Sequence, residues 1–171
     1  MIKRPNSTDY PEFFNTYIDL VKGDNVLKEL EKQILEMQFI LSDVPEERED
    51  YTYATGKWTL KEVIGHIIDT ERVMTYRALS FARCNPNPQP GFDPDMFMKN
   101  VNFNKRTLYD LAHEFGIVRE STILLYKNLS AEDLDKVGVA NNWKMTVRSA
   151  AYVNVGHATH HLNFIKAKYL I

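Results

Sequence analysis

The chain has 171 residues, 44% of them hydrophobic and 26% charged, which is enough to bury a substantial core, and one domain spanning 1–171 is expected. A formal net charge of −2 excludes the Lys/Arg excess that a dedicated nucleic-acid or anionic-membrane surface would need. The single cysteine, Cys84, excludes an internal disulfide, and no apolar run reads as a signal peptide or a membrane span, so a cytoplasmic protein with neither nucleic-acid nor membrane partners is expected.

The pattern is helical from Tyr10 to Val44, interrupted at Gly23-Asp24-Asn25. Before the interruption, the Phe- and Tyr-rich stretch at about 11–22 predicts a short additional helix lying across the core. After it, Val26, Leu27, Leu30, Ile34, Met37, Ile40 and Leu41 recur at three- and four-residue steps, the buried stripe of a first core helix. Pro45 to Thr55 reads as a connection.

Thr59 and Glu62 form a T-x-x-E capping box directly before Val63, Ile64, Ile67, Met74, Ala78 and Phe81, so a second helix starts near Thr59 and runs to about Ala82 or Cys84. The run CNPNPQPGFDP cannot continue it, because proline lacks the N–H donor and clashes with the preceding turn. Helical spacing resumes from Asn104 through Leu108, Leu111, Ala112, Phe115, Val118, Thr122, Leu125 and Leu129, giving a third helix. Ser130-Ala131-Glu132-Asp133 caps a short turn, and Thr146 caps a fourth helix reaching about Leu170. No segment shows the alternation of a strand, so the fold class is an all-α four-helix bundle over about 24–170.

Loop length constrains how these helices run. A helix of about 25 residues is roughly 38 Å long, whereas the roughly 20 residues from Cys84 to Phe103 reach beyond about 60 Å when extended. A crossover of that reach returns the chain to the opposite end and makes helices two and three parallel, in up-down-down-up order. Helices two and four are then antiparallel.

The fourth helix carries three of the five histidines, and His157 and His161, four apart, share one face. Such a pair is either a surface or core-edge feature or two ligands of one metal ion, and a third ligand decides between them. Ala158 stands where the HExxH motif has its glutamate, which excludes that protease pattern, and His160 points elsewhere. In the antiparallel arrangement His66 lies roughly 10 Å from the start of helix two and His161 roughly 14 Å from the end of helix four, so their heights nearly match. Three neutral imidazoles would hold a divalent ion such as zinc or nickel and leave positions open for a small-molecule substrate.

Other residues near these faces are weighed in the same way. Asp69, three residues after His66, and Asn154, three before His157, could orient imidazole N–H groups or be merely solvated. Glu71 falls on the seam with Ile67 and Met74, where an unpaired carboxylate is costly, and must meet a cation or water. Trp58 lies at the histidine end and could line a pocket, while Trp143 lies at the far end. Cys84 reads as a buried small apolar residue, Met96 and Met98 as core fillers, and His113 has no partner at a useful spacing. No dinucleotide motif, P-loop or Ser/His/Asp arrangement is present.

Trp58-Thr59-Leu60-Lys61-Glu62-Val63-Ile64-Gly65-His66, Pro90-Gly91-Phe92-Asp93-Pro94-Asp95 and His157 with His161 resemble the DinB/YfiT-like superfamily of metal-binding helical bundles over about Leu30 to Leu170. The resemblance implies His66, His157 and His161 as the three metal ligands and the up-down-down-up order. It also implies either a metal-dependent hydrolase or an S-transferase using a low-molecular-weight thiol such as bacillithiol, and a homodimer through helix faces. A hydrolase would need a carboxylate near the ion, for which Asp69 and Glu71 are the candidates. A thiol transferase would not, because coordination itself deprotonates a thiol. The further alternatives are a non-catalytic metal- or ligand-binding module and a plain helical interaction domain.

Overall fold

Each long helix starts where a side chain caps it. In the computed structural model, which describes residues 2–23 and 25–170, the Asn25 side chain accepts from the Leu27 N–H and opens a 17-residue helix; Asp24 of the expected interruption lies outside the described residues. The elements are 3₁₀ turns at Glu12–Phe14, Glu46–Arg48 and Phe103–Lys105, α1 (Asn15–Ile18), α2 (Val26–Ser42), α3 (Leu60–Ala82), α4 (Pro94–Lys99), α5 (Leu108–Lys127), α6 (Ala131–Asp135), strands β1 (Val137–Ala140) and β2 (Trp143–Thr146), and α7 (Val147–Lys168). Both halves of the predicted Thr59–Glu62 capping box are made, and Thr146 caps α7 through the Ser149 N–H. Among the described residues no helix is long and apolar enough to cross a membrane.

Paired contacts along α2, α3, α5 and α7 define the direction of each core helix. On α3 and α7, Thr75 meets Asn154, His66 meets His157, and the Trp58 carbonyl accepts from the Tyr169 hydroxyl, so numbers rise on one helix as they fall on the other. On α3 and α5, Arg72 meets Glu114, Glu71 meets Arg119, and Thr75 meets Thr122, which is a parallel pair. The order is up-down-down-up, as the loop length predicts.

The crossover runs back along α3. Gln89 donates to Ser80 and the Pro90 carbonyl accepts from Arg77; the chain then passes through α4 and reaches the start of α3, where the Thr59 hydroxyl donates to Asn104. At Gly65 the Phe103 ring occupies the space a Cβ would need, with ring carbons 2.3–2.4 Å from where it would sit. The absent side chain is what lets the crossover close on the helix beside His66.

Four expectations are corrected. A two-stranded hairpin is present, closed by Asn141 and Asn142, both at positive φ, with Ala140 paired to Trp143. Cys84 is exposed, not buried. It follows the last turn of α3 at φ 56°, with its own N–H on the Phe81 carbonyl and the Asn85 N–H on the Ser80 carbonyl, the 5→2 and 6→1 bonds of a Schellman cap. The left-handed position of that cap is ordinarily glycine's. The additional N-terminal helix is shorter than its predicted span of about 11–22, and of Met96 and Met98 only the second is buried.

Candidate metal centre

His66 stands two turns into α3, and α7 presents His157 and His161 at the same height because the two helices are antiparallel. The Nε2 atoms of His66 and His157 lie 3.0 Å apart, and the ring centroids are 4.9 Å apart for His66 with His157, 4.9 Å for His66 with His161 and 4.5 Å for His157 with His161. One ring nitrogen from each of the three lies within 4.8 Å of the others. Two imidazole nitrogens bound to one tetrahedral ion at about 2.0–2.1 Å stand roughly 3.3–3.4 Å apart, so this spacing suits a shared ion with little movement.

Burial sets the protonation of the cluster. His66 and His157 are buried and His161 half-buried. Burial pushes the His66 ring down to about 4, partly opposed by the nearby Asp95 charge, and pushes His161 down to about 3 with help from His66 and His160. His157 is held well below the usual histidine range by burial first, then by its histidine neighbours and Arg119. All three rings are therefore neutral at neutral pH and offer lone pairs. The Thr70 hydroxyl, 3.4 Å from His66 Nδ1, can accept an N–H there, which leaves Nε2 unprotonated toward the other two rings.

The packing around the rings is aromatic. Trp58 lies 5.0 Å from His66 between ring centroids, and Tyr17 lies 5.2 Å from His157. Tyr17 arrives because Gly156 has no side chain: a Cβ there would fall 2.1 Å from the Tyr17 carbonyl oxygen. The short N-terminal helix thus closes the site from behind.

Its front opens into a cleft of about 400 Å³ lined by Trp58, Tyr53, His160, His161, Phe164 and Asp95. His160 is outside the converging set and stands on the rim of this cleft. Asp95 is the functional candidate that reading the sequence missed. It is exposed on the first turn of α4, which Asp93 caps and Pro94 opens. The sequence Asp93-Pro94-Asp95 carries that helix-start signal within the long loop.

The other predicted residues are engaged elsewhere. Glu71 is buried against Arg119, with Nε donating to its carboxylate at 2.9 Å and Nη2 2.8 Å away, so the cation its seam position demands is present. Asp69 lies 3.8 Å from Arg72, on the side of α3 that faces Glu114, and burial raises its carboxyl. The Asn154 amide donates to Thr75.

A four-helix bundle of this order that gathers three neutral imidazoles from two antiparallel helices, with His161 lining a cleft, defines a class of helical proteins suited to hold a divalent ion. The chain belongs to the DinB superfamily, whose profile matches residues 29–165. It is 27% identical over 142 residues to the Oceanobacillus iheyensis protein named "Putative metal-dependent hydrolase OB0413", a match covering 82% of this chain and 81% of that protein. Its fold is similar to that of Bacillus subtilis YfiT, described as "a probable metal-dependent hydrolase with an unusual four-helix bundle topology", at TM-score 0.73 and 14% identity over 90% of this chain and 95% of the other. The DinB-like protein YjoA of Bacillus subtilis aligns at TM-score 0.59 and 15% identity, covering 85% of this chain and 90% of the other.

Proposed function

We propose that this chain is a metal-dependent hydrolase of small substrates, with His66, His157 and His161 holding one divalent ion, zinc or nickel. The observation that carries the reading is the convergence of three neutral ring nitrogens within 4.8 Å, one of them on His161, which lines a cleft that also holds Asp95. A divalent ion bound there would supply Lewis acidity and lower the pKa of a water molecule to near neutrality.

The chain's own groups complete the chemistry. Asp95 accepts a proton from the attacking water at its carboxylate and returns it to the leaving group, the role for which Asp69 and Glu71 are the sequence candidates. Trp58, Tyr53 and Phe164 wall the cleft and shed water from an apolar part of the substrate. Thr70 holds the His66 tautomer. A thiol transferase needs no carboxylate at the site and a hydrolase does, so the Asp95 carboxylate in the cleft supports hydrolysis.

Plasma emission analysis of the purified chain should find about one zinc or nickel per protomer, lost in His157→Ala and retained in His160→Ala. Panels of esters and amides, and separately of bacterial low-molecular-weight thiols with electrophiles, then test the reaction. Metal-dependent turnover of an ester or amide is expected; turnover only in the thiol panel would overturn hydrolysis, and unchanged metal uptake in His157→Ala would overturn the ligand set.

A further inference from the structure

Along α3, eleven residues beyond His66 and therefore about 16 Å away, a second arginine is buried, and its surroundings differ from those of Arg119. Arg77 is 7% exposed, and its acceptors are the Pro90 carbonyl oxygen at 2.8 Å and the Met74 sulfur at 3.4 Å. Neither is an anion. Arg119, sealed more deeply, meets Glu71; among the described residues Arg77, at the edge of a cavity, has no carboxylate within ion-pair distance. A guanidinium carries five N–H bonds, and two acceptors leave three without a protein partner. None of these nitrogens is sealed from accessible space, so the free N–H groups face the cavity, where an anion can meet them.

The space for one is present. Arg77 lines a cavity of about 690 Å³ between α3 and the crossover, and also a smaller one of about 140 Å³ toward the hairpin, and Phe92 and Asn141 line both. The larger cavity lies within the size range of small-molecule sites. Its walls include Tyr76, Phe92, Phe97 and Met96, with the Phe92 and Phe97 rings in edge contact at 5.2 Å between centroids. The other charged residues on its wall are already occupied. Arg72 is paired with Glu114 at 2.6 Å, and the Asp93 carboxylate accepts the Asp95 and Met96 N–H groups as the cap of α4.

We propose that this cavity is a binding site, separate from the histidine cluster, for a small monocarboxylate with an aromatic or branched apolar tail, its carboxylate held by Arg77 and its tail by Phe92, Phe97, Tyr76 and Met96. A planar fork of donors matches a carboxylate better than it matches a neutral head group, and an apolar wall favours one charge over several.

Isothermal titration calorimetry of the full chain with phenylbutyrate, and with its neutral amide, tests this. Saturable binding of the carboxylate is expected, weaker by at least about tenfold for the amide and for wild-type acid on Arg77→Gln, the factor of one charge-assisted hydrogen bond. Tyr76→Ala, on the exposed wall, should weaken binding severalfold without affecting folding, which keeps the test decisive if Arg77→Gln does not fold. His157→Ala should bind phenylbutyrate like the wild type, so the outcome is independent of the metal reading. Equal affinity for acid and amide, undiminished binding by folded Arg77→Gln, loss of binding in His157→Ala, or no saturable binding of phenylbutyrate would each overturn the site.

Discussion

At His66 the ring is buried and stays unprotonated down to about 4, whereas the same ring in the unfolded chain takes up its proton at the ordinary histidine value near 6.5. Between these two values the unfolded state binds more protons, so stability falls as pH falls. For this ring alone the loss between about pH 7 and pH 5 is on the order of 2 kcal/mol in the metal-free chain. Urea titrations should therefore show a midpoint that drops with acidification, with a shallower dependence in His66→Gln; identical pH profiles would contradict the account of the cluster's burial. In the proposed hydrolysis Asp95 is the second residue that carries the chemistry. Asp95→Asn should keep the metal and lose roughly 10²-fold in kcat, read from steady-state kinetics beside metal analysis. The histidines are legible in the sequence because helix periodicity places His157 and His161 on one face and the loop's reach brings His66 to their height. Asp95 is not, because its position depends on the path of the crossover, which periodicity does not describe.

Among the elements, the end of α3 shows how a local cap is built from an unfavourable residue. Cys84 occupies the left-handed position of the Schellman cap at φ 56°, and its side chain is exposed, with the Lys136 ammonium beside the thiol as its side-chain partner. Replacing it with glycine should stabilise the chain by about 1 kcal/mol, seen as a higher urea midpoint with an unchanged denaturant slope. No gain, or a loss, would show that the Lys136 contact outweighs the backbone strain. Helical periodicity simply ran out at Cys84, which says where α3 ends but not that the thiol faces solvent. The hairpin was hidden for a related reason. Its strands are four residues each, too short to establish alternation, and the usable signal is Asn141-Asn142, a pair that tolerates positive φ at both positions of a tight turn. The hairpin edge in turn anchors the crossover, since the Gln89 N–H donates to Val139 and its carbonyl accepts from Asn141.

Across the whole molecule, the apolar core is split into two clusters by a polar layer to which all four long helices contribute. Gln33 of α2, Glu71 of α3 and Arg119 of α5 are joined by hydrogen bonds of 2.6–2.9 Å, Gln33 donates to the Val155 carbonyl of α7, and Asn154 and His157 stand beside it on the same helix. The layer fixes the register of the bundle at the height of the histidines, which links the packing to the site. Arg119→Met should cost about 3–5 kcal/mol because it strands the Glu71 carboxylate, whereas Arg119→Met with Glu71→Met should recover most of that loss in thermal or urea unfolding. A double variant as unstable as the single would contradict an account based on the unpaired charge. An anomalous difference map from crystals grown with zinc shows whether the three imidazoles hold one ion, as we propose. A single strong peak about 2.0–2.1 Å from a ring nitrogen of His66, His157 and His161 is the predicted result. The contrary result is a crystal grown with zinc that shows no peak between these rings.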